Sequence, residues 1–232
     1  MQPTAPDPEH TRWWWVRHAP VPDGGRIYGQ TDLDCDCTAT DVFSALAQAL
    51  PDGAVWLTSS LGRTHQTAAA IRAARGEGAG ADARPVALAA FAEQHLGDWQ
   101  GMGRTDFHAS RAGQRHDHWF GPATERPPNG ESFADLCARV REGVREQTAS
   151  HRGRDIVAVT HGGTIRAALG MALGIDSECA LAFTIDNCSI TRLDQLGGDA
   201  DRRWRVVTVN HQPWSLGRLA AGAGPLGTGA PA

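Results

Sequence analysis

The chain is 232 residues long, 41% hydrophobic and 21% charged, ordinary values that exclude disordered and fibrous classes for most of its length. A formal net charge of −4 argues against broad electrostatic binding of nucleic acid, whose footprint is a basic patch. All 22 basic residues are arginines, which excludes chemistry that needs an amine: a Schiff-base lysine, lysine-anchored pyridoxal phosphate or a Walker-type phosphate loop. Residues 1–10 are Pro- and acid-bearing, lack the basic flank and apolar core of a signal peptide, and read as a flexible N-terminus. Trp13-Trp14-Trp15-Val16 predicts a buried first strand ending at Arg17-His18; Ala19-Pro20 breaks it, and 21–34 is a loop punctuated by Gly, Pro and Asp. Thr38 or Thr40 is placed to cap a helix through Leu50, which Pro51-Asp52-Gly53 stops.

A second strand over 54–58 runs through Ser59 and Ser60, candidate caps, into a helix over 61–75. A small-residue loop follows over 76–83, a third strand over 85–91, and an irregular segment bearing glycines and Trp99 over 92–103. Helical patterns return at about 104–118 and, after Pro127-Pro128-Asn129-Gly130, over 132–149. The clearest buried strand is 155–160, ending at His161-Gly162-Gly163 before a helix from Thr164 to about Leu173. β-like runs cover 181–185, 189–193 and 204–209, with a Gly197-Gly198 turn between the last two. The Ala/Gly/Pro end, 218–232, reads as a disordered tail, leaving one domain over 11–217.

Alternating strands and helices predict an α/β fold, a three-layer sandwich with a mostly parallel central sheet and helices on both faces. Ligands of such sheets sit off the carboxyl ends of the strands. Arg17-His18 and His161 each follow a strand end, and Arg63 lies in the first turn after another. Converged on one crevice, Arg17 and Arg63 would grip a tetrahedral oxyanion, and the helix starting near Gly162 would add N–H donors. A neutral imidazole can attack phosphorus and carry the phosphoryl group covalently before water removes it.

Five elements, in order, carry a resemblance. They are Val16-Arg17-His18-Ala19-Pro20, Ser59-x3-Arg63-x2-Gln66-Thr67-Ala68, Glu93-x3-Gly97-Asp98-Trp99-Gln100-Gly101, Gly130-Glu131-Ser132 and Val159-Thr160-His161-Gly162-Gly163. Over roughly residues 12–190 the chain resembles the histidine phosphatase superfamily, branch 1, which includes cofactor-dependent phosphoglycerate mutases and α-ribazole phosphatases. The resemblance implies a phosphoglycerate mutase-like fold, His18 as the phosphorylated nucleophile, and Arg17, Arg63 and His161 as the phosphate pocket. It implies Glu93 as general acid and then base, and needs neither metal nor organic cofactor; apart from the resemblance, Glu125 and Glu131 are alternative acids. Gln30 is the candidate phosphate contact in the loop after the first strand, with Tyr28 and Arg26 as specificity contacts.

The departures favour a phosphatase. The family's glycine after Arg-His is Ala19, followed by Pro20-Val21. The Arg and Tyr with which mutases hold a carboxylated sugar phosphate are Gln94 and Leu96, and the mutase lysine falls near Arg104. Those losses matter because a mutase must retain its intermediate and exclude water. The expected substrate is a small-molecule phosphomonoester, α-ribazole phosphate being the nearest pathway reading; a mutase-like phosphotransferase and a non-catalytic phospho-ligand binding module are the alternatives.

Other features read more plainly. Cys35, Cys37, Cys137, Cys179 and Cys188 contain no CxxC pair and suit reduced structural thiols. His108, His116, Asp117 and His118 are irregularly spaced on an expected solvated helix, a polar face rather than a metal site. The three tryptophans read as core with one or two partly exposed indoles, not a stacking platform for bases; Trp99 and Trp119 fit either core or cleft wall. No run reaches the ~18 apolar residues of a membrane helix, so a cytoplasmic protein without nucleic-acid or membrane partners is expected. The strand-rich C-terminal part offers an edge for a homodimer.

Overall fold

A computed structural model describes residues 10–76, 84–113, 116–197 and 203–215. The expected flexible start, most of the 76–83 loop, Gly198 and the tail from 218 lie outside those residues. The first strand, β1 (Thr11–Arg17), is covered on both faces. Trp13 and Trp15 face one way, fully buried and stacked with centroids 4.9 Å apart, and Phe91 meets both edge-on. Trp14, half-buried, faces the other way; its indole donates to Asp155 Oδ1 at 2.9 Å and carries the Arg192 guanidinium 4.5 Å above the ring.

Helix α1 (Thr40–Ala49) follows the long loop, but neither threonine caps it. Ala39 holds the cap position with no side-chain bond, and Thr38 instead donates its N–H and hydroxyl to Asp36 Oδ1. Next come β2 (Val55–Ser59) and α2 (Gly62–Ala74), whose cap position is Leu61 rather than either serine; Ser59 Oγ nevertheless accepts the Leu61 N–H at 3.1 Å. The third strand, β3 (Val86–Leu88), is shorter than expected because Ala89–Phe91 closes into a 3-10 turn.

The helix expected to reach about residue 118 stops early, as α3 (Arg104–Ser110). Arg111 leaves helical geometry and Gly113 takes a φ of +83°, so His116 and His118 are not on a helix at all. His116 Nε2 instead meets Glu178 Oε1 at 2.5 Å. Helix α4 (Phe133–Ser150) begins with a reciprocal cap: Ser132 Oγ accepts the Asp135 N–H, and Asp135 Oδ2 accepts the Ser132 N–H. Strand β4 (Asp155–Thr160) has the expected bounds. Helix α5 (Gly162–Leu173) starts two residues earlier than expected, directly after His161, and ends at Gly174 with φ +65°. The short α6 (Ser177–Ala180) is capped by Asp176. The run 181–185 is not a strand, and β5 (Ile190–Gln195) and β6 (Trp204–His211) complete the set.

The strands form one sheet in the order β3-β2-β4-β1-β5-β6. The first four are parallel; β5 runs antiparallel to β1, and β6, antiparallel to β5, returns to the direction of the first four. Core residues of α4 and α5, such as Leu136, Val140 and Ile165, pack with Trp13, Trp15, Ile156 and Ala158; Val42, Phe43 and Leu46 of α1 and Ile71 of α2 pack with Val16, Val157 and Val159 on the opposite face. This is the expected three-layer sandwich. The pairing register sets Arg17 beside Thr160 and Thr58 beside Val159, so the residues leaving β1, β2 and β4 emerge together.

Beside that end, the backbone of 97–99 lies against 128–130. Gly97 has φ +50°, and a Cβ there would stand 2.0 Å from Pro128 O and 2.7 Å from Gly130 N. Gly97→Ala is expected to destabilise the fold by about 3 kcal/mol, lowering the melting temperature by roughly 10 °C. A variant melting within about 2 °C of the parent would contradict this close approach.

Candidate active site

His18 is fully buried just past β1. Its Nδ1 lies 2.7 Å from Ala19 O, and a carbonyl only accepts, so Nδ1 carries the ring proton. Nε2 is then a bare lone pair, and among the described residues it has no hydrogen-bond partner. The peptide around it is fixed: His18 N–H donates to Thr160 O, Asn187 Nδ2 donates to His18 O at 2.8 Å, and Ala19 N–H donates to Thr67 Oγ1. His161, at the cap of α5, packs against His18 with ring centroids 5.1 Å apart. Its Nε2 lies 2.8 Å from Ser59 Oγ, which already accepts the Leu61 N–H. Ser59 Oγ also lies 3.1 Å from Thr64 Oγ1, and His161 Nδ1 has no partner among the described residues.

The two arginines are held by backbone carbonyls. Arg17 Nη1 donates to Ile185 O at 2.7 Å; Arg63 Nη1 and Nη2 donate to Thr31 O and Gly29 O at 3.0 and 2.6 Å. In each, Nε is buried and has no partner among the described residues. A Cβ on Gly162 would lie 3.6 Å from Arg17 Nε, which puts that nitrogen at the mouth of α5. Unsatisfied buried donors are rare, and these surround the free Nε2 of His18 with positive charge and the N-terminal end of a helix. Such a hole fits a tetrahedral dianion.

Glu93 is fully buried against the start of α5: Oε2 accepts the Gly163 N–H at 3.2 Å and Oε1 accepts the Gln94 N–H at 3.0 Å. A Cβ on Gly163 would stand 2.2 Å from Glu93 Oε1, so the carboxylate fits only beside glycine. The alternative acids are engaged elsewhere, Glu131 with Arg139 and the His95 N–H, Glu125 with Arg111. Gln30 donates its amide to Glu93 O at 2.8 Å, so the structure shows it positioning the acid's backbone. Tyr28 is buried beneath the Arg63 guanidinium, 5.0 Å from its ring centre, and the exposed Arg26 donates to Gly101 O. Gln94 is buried and accepts the Trp119 indole N–H at 2.6 Å, whereas Leu96 belongs to the core.

Burial first, then Arg63 and Arg17, holds the His18 pKa well below its ordinary value. His161 is depressed by burial, Arg63, His18 and Arg17 in that order. Both rings are therefore neutral near neutral pH, as a nucleophile requires. In the unfolded chain each histidine binds a proton below pH ~6.5, whereas the native rings resist it. The unfolded state thus holds more protons as pH falls below that point, and stability is lost in that direction. The unliganded protein is expected to lose stability below pH ~6.5, by up to about 1.4 kcal/mol per pH unit for each histidine. Urea unfolding at pH 7.0 and 5.5 measures this, and a His18→Ala variant should show a shallower fall.

Sequence reasoning found the two histidines, the two arginines and Glu93, and the structure brings all five to one sheet end. It missed the parts that orient them: Ser59 as more than a cap, Thr67, Asn187, and the carbonyls of Gly29, Thr31 and Ile185. Ser59 and Thr67 carried a signal, as residues of the Arg63 motif; the others carried none.

The model of the histidine phosphatase superfamily (branch 1) matches residues 13–212. The glucosyl-3-phosphoglycerate phosphatase of Mycolicibacterium vanbaalenii is 34% identical over 204 residues, spanning 81% of this chain and 88% of that protein. Its Mycobacterium tuberculosis counterpart is 34% identical over 202 residues, 83% and 82% of the two chains. The native structure of a mycobacterial glucosyl-3-phosphoglycerate phosphatase superposes with a TM-score of 0.72 at 28% identity, covering 87% of this chain and 99% of that one. The α-ribazole phosphatase of Shigella flexneri shares the fold, with a TM-score of 0.66 at 19% identity over 87% and 96% of the chains. The chain belongs to the histidine phosphatase superfamily, branch 1. It is a histidine phosphatase, and among the described residues no helix is long and apolar enough to cross a membrane.

Proposed function

We propose that the enzyme hydrolyses small phosphate monoesters in two steps through a phosphohistidine on His18. His18 Nε2 attacks phosphorus, the ester P–O bond breaks, and Glu93 gives its proton to the departing oxygen. Glu93, now a carboxylate, takes a proton from water as that water attacks phosphorus; the P–N bond breaks, releasing inorganic phosphate and neutral His18. Arg17, Arg63, His161 and the N–H of Gly162 balance charge on the phosphoryl oxygens throughout. The observation that carries the reading is the buried Nε2 of His18, freed by the Nδ1–Ala19 bond and surrounded by unpartnered donors.

For the leaving group, we favour a phosphoglycerate-type ester such as glucosyl-3-phosphoglycerate, on the strength of the 34% identical relatives. The α-ribazole reading has fold likeness alone in its support. Acid-quenched mixing with p-nitrophenyl phosphate, read by intact mass, is expected to show a transient gain of one phosphoryl group together with steady phosphate release. Release of phosphate from glucosyl-3-phosphoglycerate, without movement of phosphate between positions on phosphoglycerate, would separate phosphatase from mutase. Binding of phosphate with neither adduct nor turnover would instead support a binding module.

A further inference from the structure

Arg166 is used by none of these steps. It lies one turn into α5, on the same face as Gly162, and a helical side chain leans back toward the N-terminal turn. Its guanidinium does so here: a Cβ on Gly162 would lie 3.3 Å from Arg166 Nη1 and 3.6 Å from Arg17 Nε. The residue is only 8% exposed. Among the described residues its one hydrogen bond runs from Nε to Phe183 O at 2.7 Å, and it has no ion pair. The acids whose charge reaches it are committed: Glu93 to two backbone N–H groups, Asp186 to Asn210 and Gln212. Its terminal nitrogens have no protein partner among the described residues and are not sealed from solvent, so a largely buried side chain presents its charged end where an anion from outside can meet it.

The support beneath Arg166 shows which side of the crevice it serves. Its guanidinium lies 4.9 Å from the Trp119 ring centre, and Trp119 is fixed by its bond to Gln94, the neighbour of the acid that protonates the leaving oxygen. Arg166 thus reaches back from the next turn of α5 to Gly162, on the side of the crevice that Glu93 and Gln94 line.

We infer that Arg166, braced on Trp119, is a specificity-determining residue that binds a second anionic group of the substrate, a carboxylate close to the ester oxygen. This rests on the phosphatase reading above and adds the class of leaving group. A carboxylate on the carbon chain bearing the phosphate would meet Nη1 and Nη2 as a fork. The position that mutases give to an arginine is Gln94 here, so Arg166 supplies from another element a cation that the sequence had seemed to lack.

The test compares kcat/KM on 3-phosphoglycerate, on glycerol 3-phosphate, which carries a hydroxymethyl group in place of the carboxylate, and on p-nitrophenyl phosphate. Wild type is expected to prefer 3-phosphoglycerate to glycerol 3-phosphate by ~10-fold or more. Arg166→Met should erase that preference, losing ~30-fold on 3-phosphoglycerate, mostly in KM, and under ~3-fold on the other two. Arg166→Lys should restore part of it, and turnover of p-nitrophenyl phosphate reports that each variant is folded. A similar loss on all three substrates in both variants, no preference in wild type, or no change on substitution would overturn the inference and leave the phosphatase reading standing. Failure of wild type to hydrolyse any of the three would overturn that reading, and this one with it.

Discussion

His18→Ala is expected to lower kcat by ~10⁴-fold or more on every phosphomonoester, with no phosphoryl adduct by mass. No other group among the described residues is placed as His18 Nε2 is. His161 has Nε2 engaged with Ser59 Oγ, Glu93 is occupied by two N–H donors, and water has no lone pair held against phosphorus as Nε2 is. The loss should fall on kcat, because Arg17, Arg63 and the start of α5 still bind the phosphate. Equilibrium binding of inorganic phosphate within about threefold of the parent would confirm that the pocket survives. A variant retaining a tenth of the parent's kcat would remove His18 from the role of nucleophile.

The second large effect depends on the leaving group. Glu93→Gln keeps the size of the side chain and one of its two accepted N–H bonds but removes the transferable proton. On an alkyl phosphate, whose alkoxide is a poor leaving group, kcat is expected to fall by ~10²–10⁴-fold. On p-nitrophenyl phosphate, whose phenolate departs unaided, cleavage of the ester should be nearly unimpaired, and loss of the base should slow hydrolysis of the phosphohistidine instead. Rapid mixing should then show a burst of p-nitrophenol and a longer-lived adduct. Equal losses on both esters without a burst would exclude a proton-transfer role for Glu93 and return attention to its contact with Gly163.

Much of the fold was legible because β1 and β4 are apolar on both faces, a pattern that only a covered parallel sheet produces. Strand β4 appears with the bounds its composition suggested, and Arg17, His18 and His161 sit at the strand ends that the topology rule indicates. The failures share a cause. The 181–185 run has the apolar character of a strand, yet its carbonyls are taken by guanidinium groups: Phe183 O by Arg166 and Ile185 O by Arg17. Which carbonyl an arginine will claim is decided by elements far away in sequence. The same holds for Ser59, whose hydroxyl meets His161 across the sheet, and for Asn187, which holds the His18 peptide from the far side of β1. Local pattern also exaggerated the helix after Arg104, which Arg111 and Gly113 end a turn and more before its polar periodicity fades.

The sheet order has one consequence for how the chain acquires activity. Arg12 of β1 pairs with Asp155 of β4 across 143 positions of sequence, and β2 completes its contact with the same β4. Neither the nucleophile-bearing segment nor the second histidine has a partner strand nearby in sequence, and closing such distant parallel pairs is slow. A partly folded chain, with α1 and α2 formed on β2 alone, would hold Arg63 but neither histidine in place. Recovery of phosphate binding during refolding should therefore coincide with the last cooperative phase, and nascent chains lacking β4 should be unable to draw on the cell's phosphate esters at all.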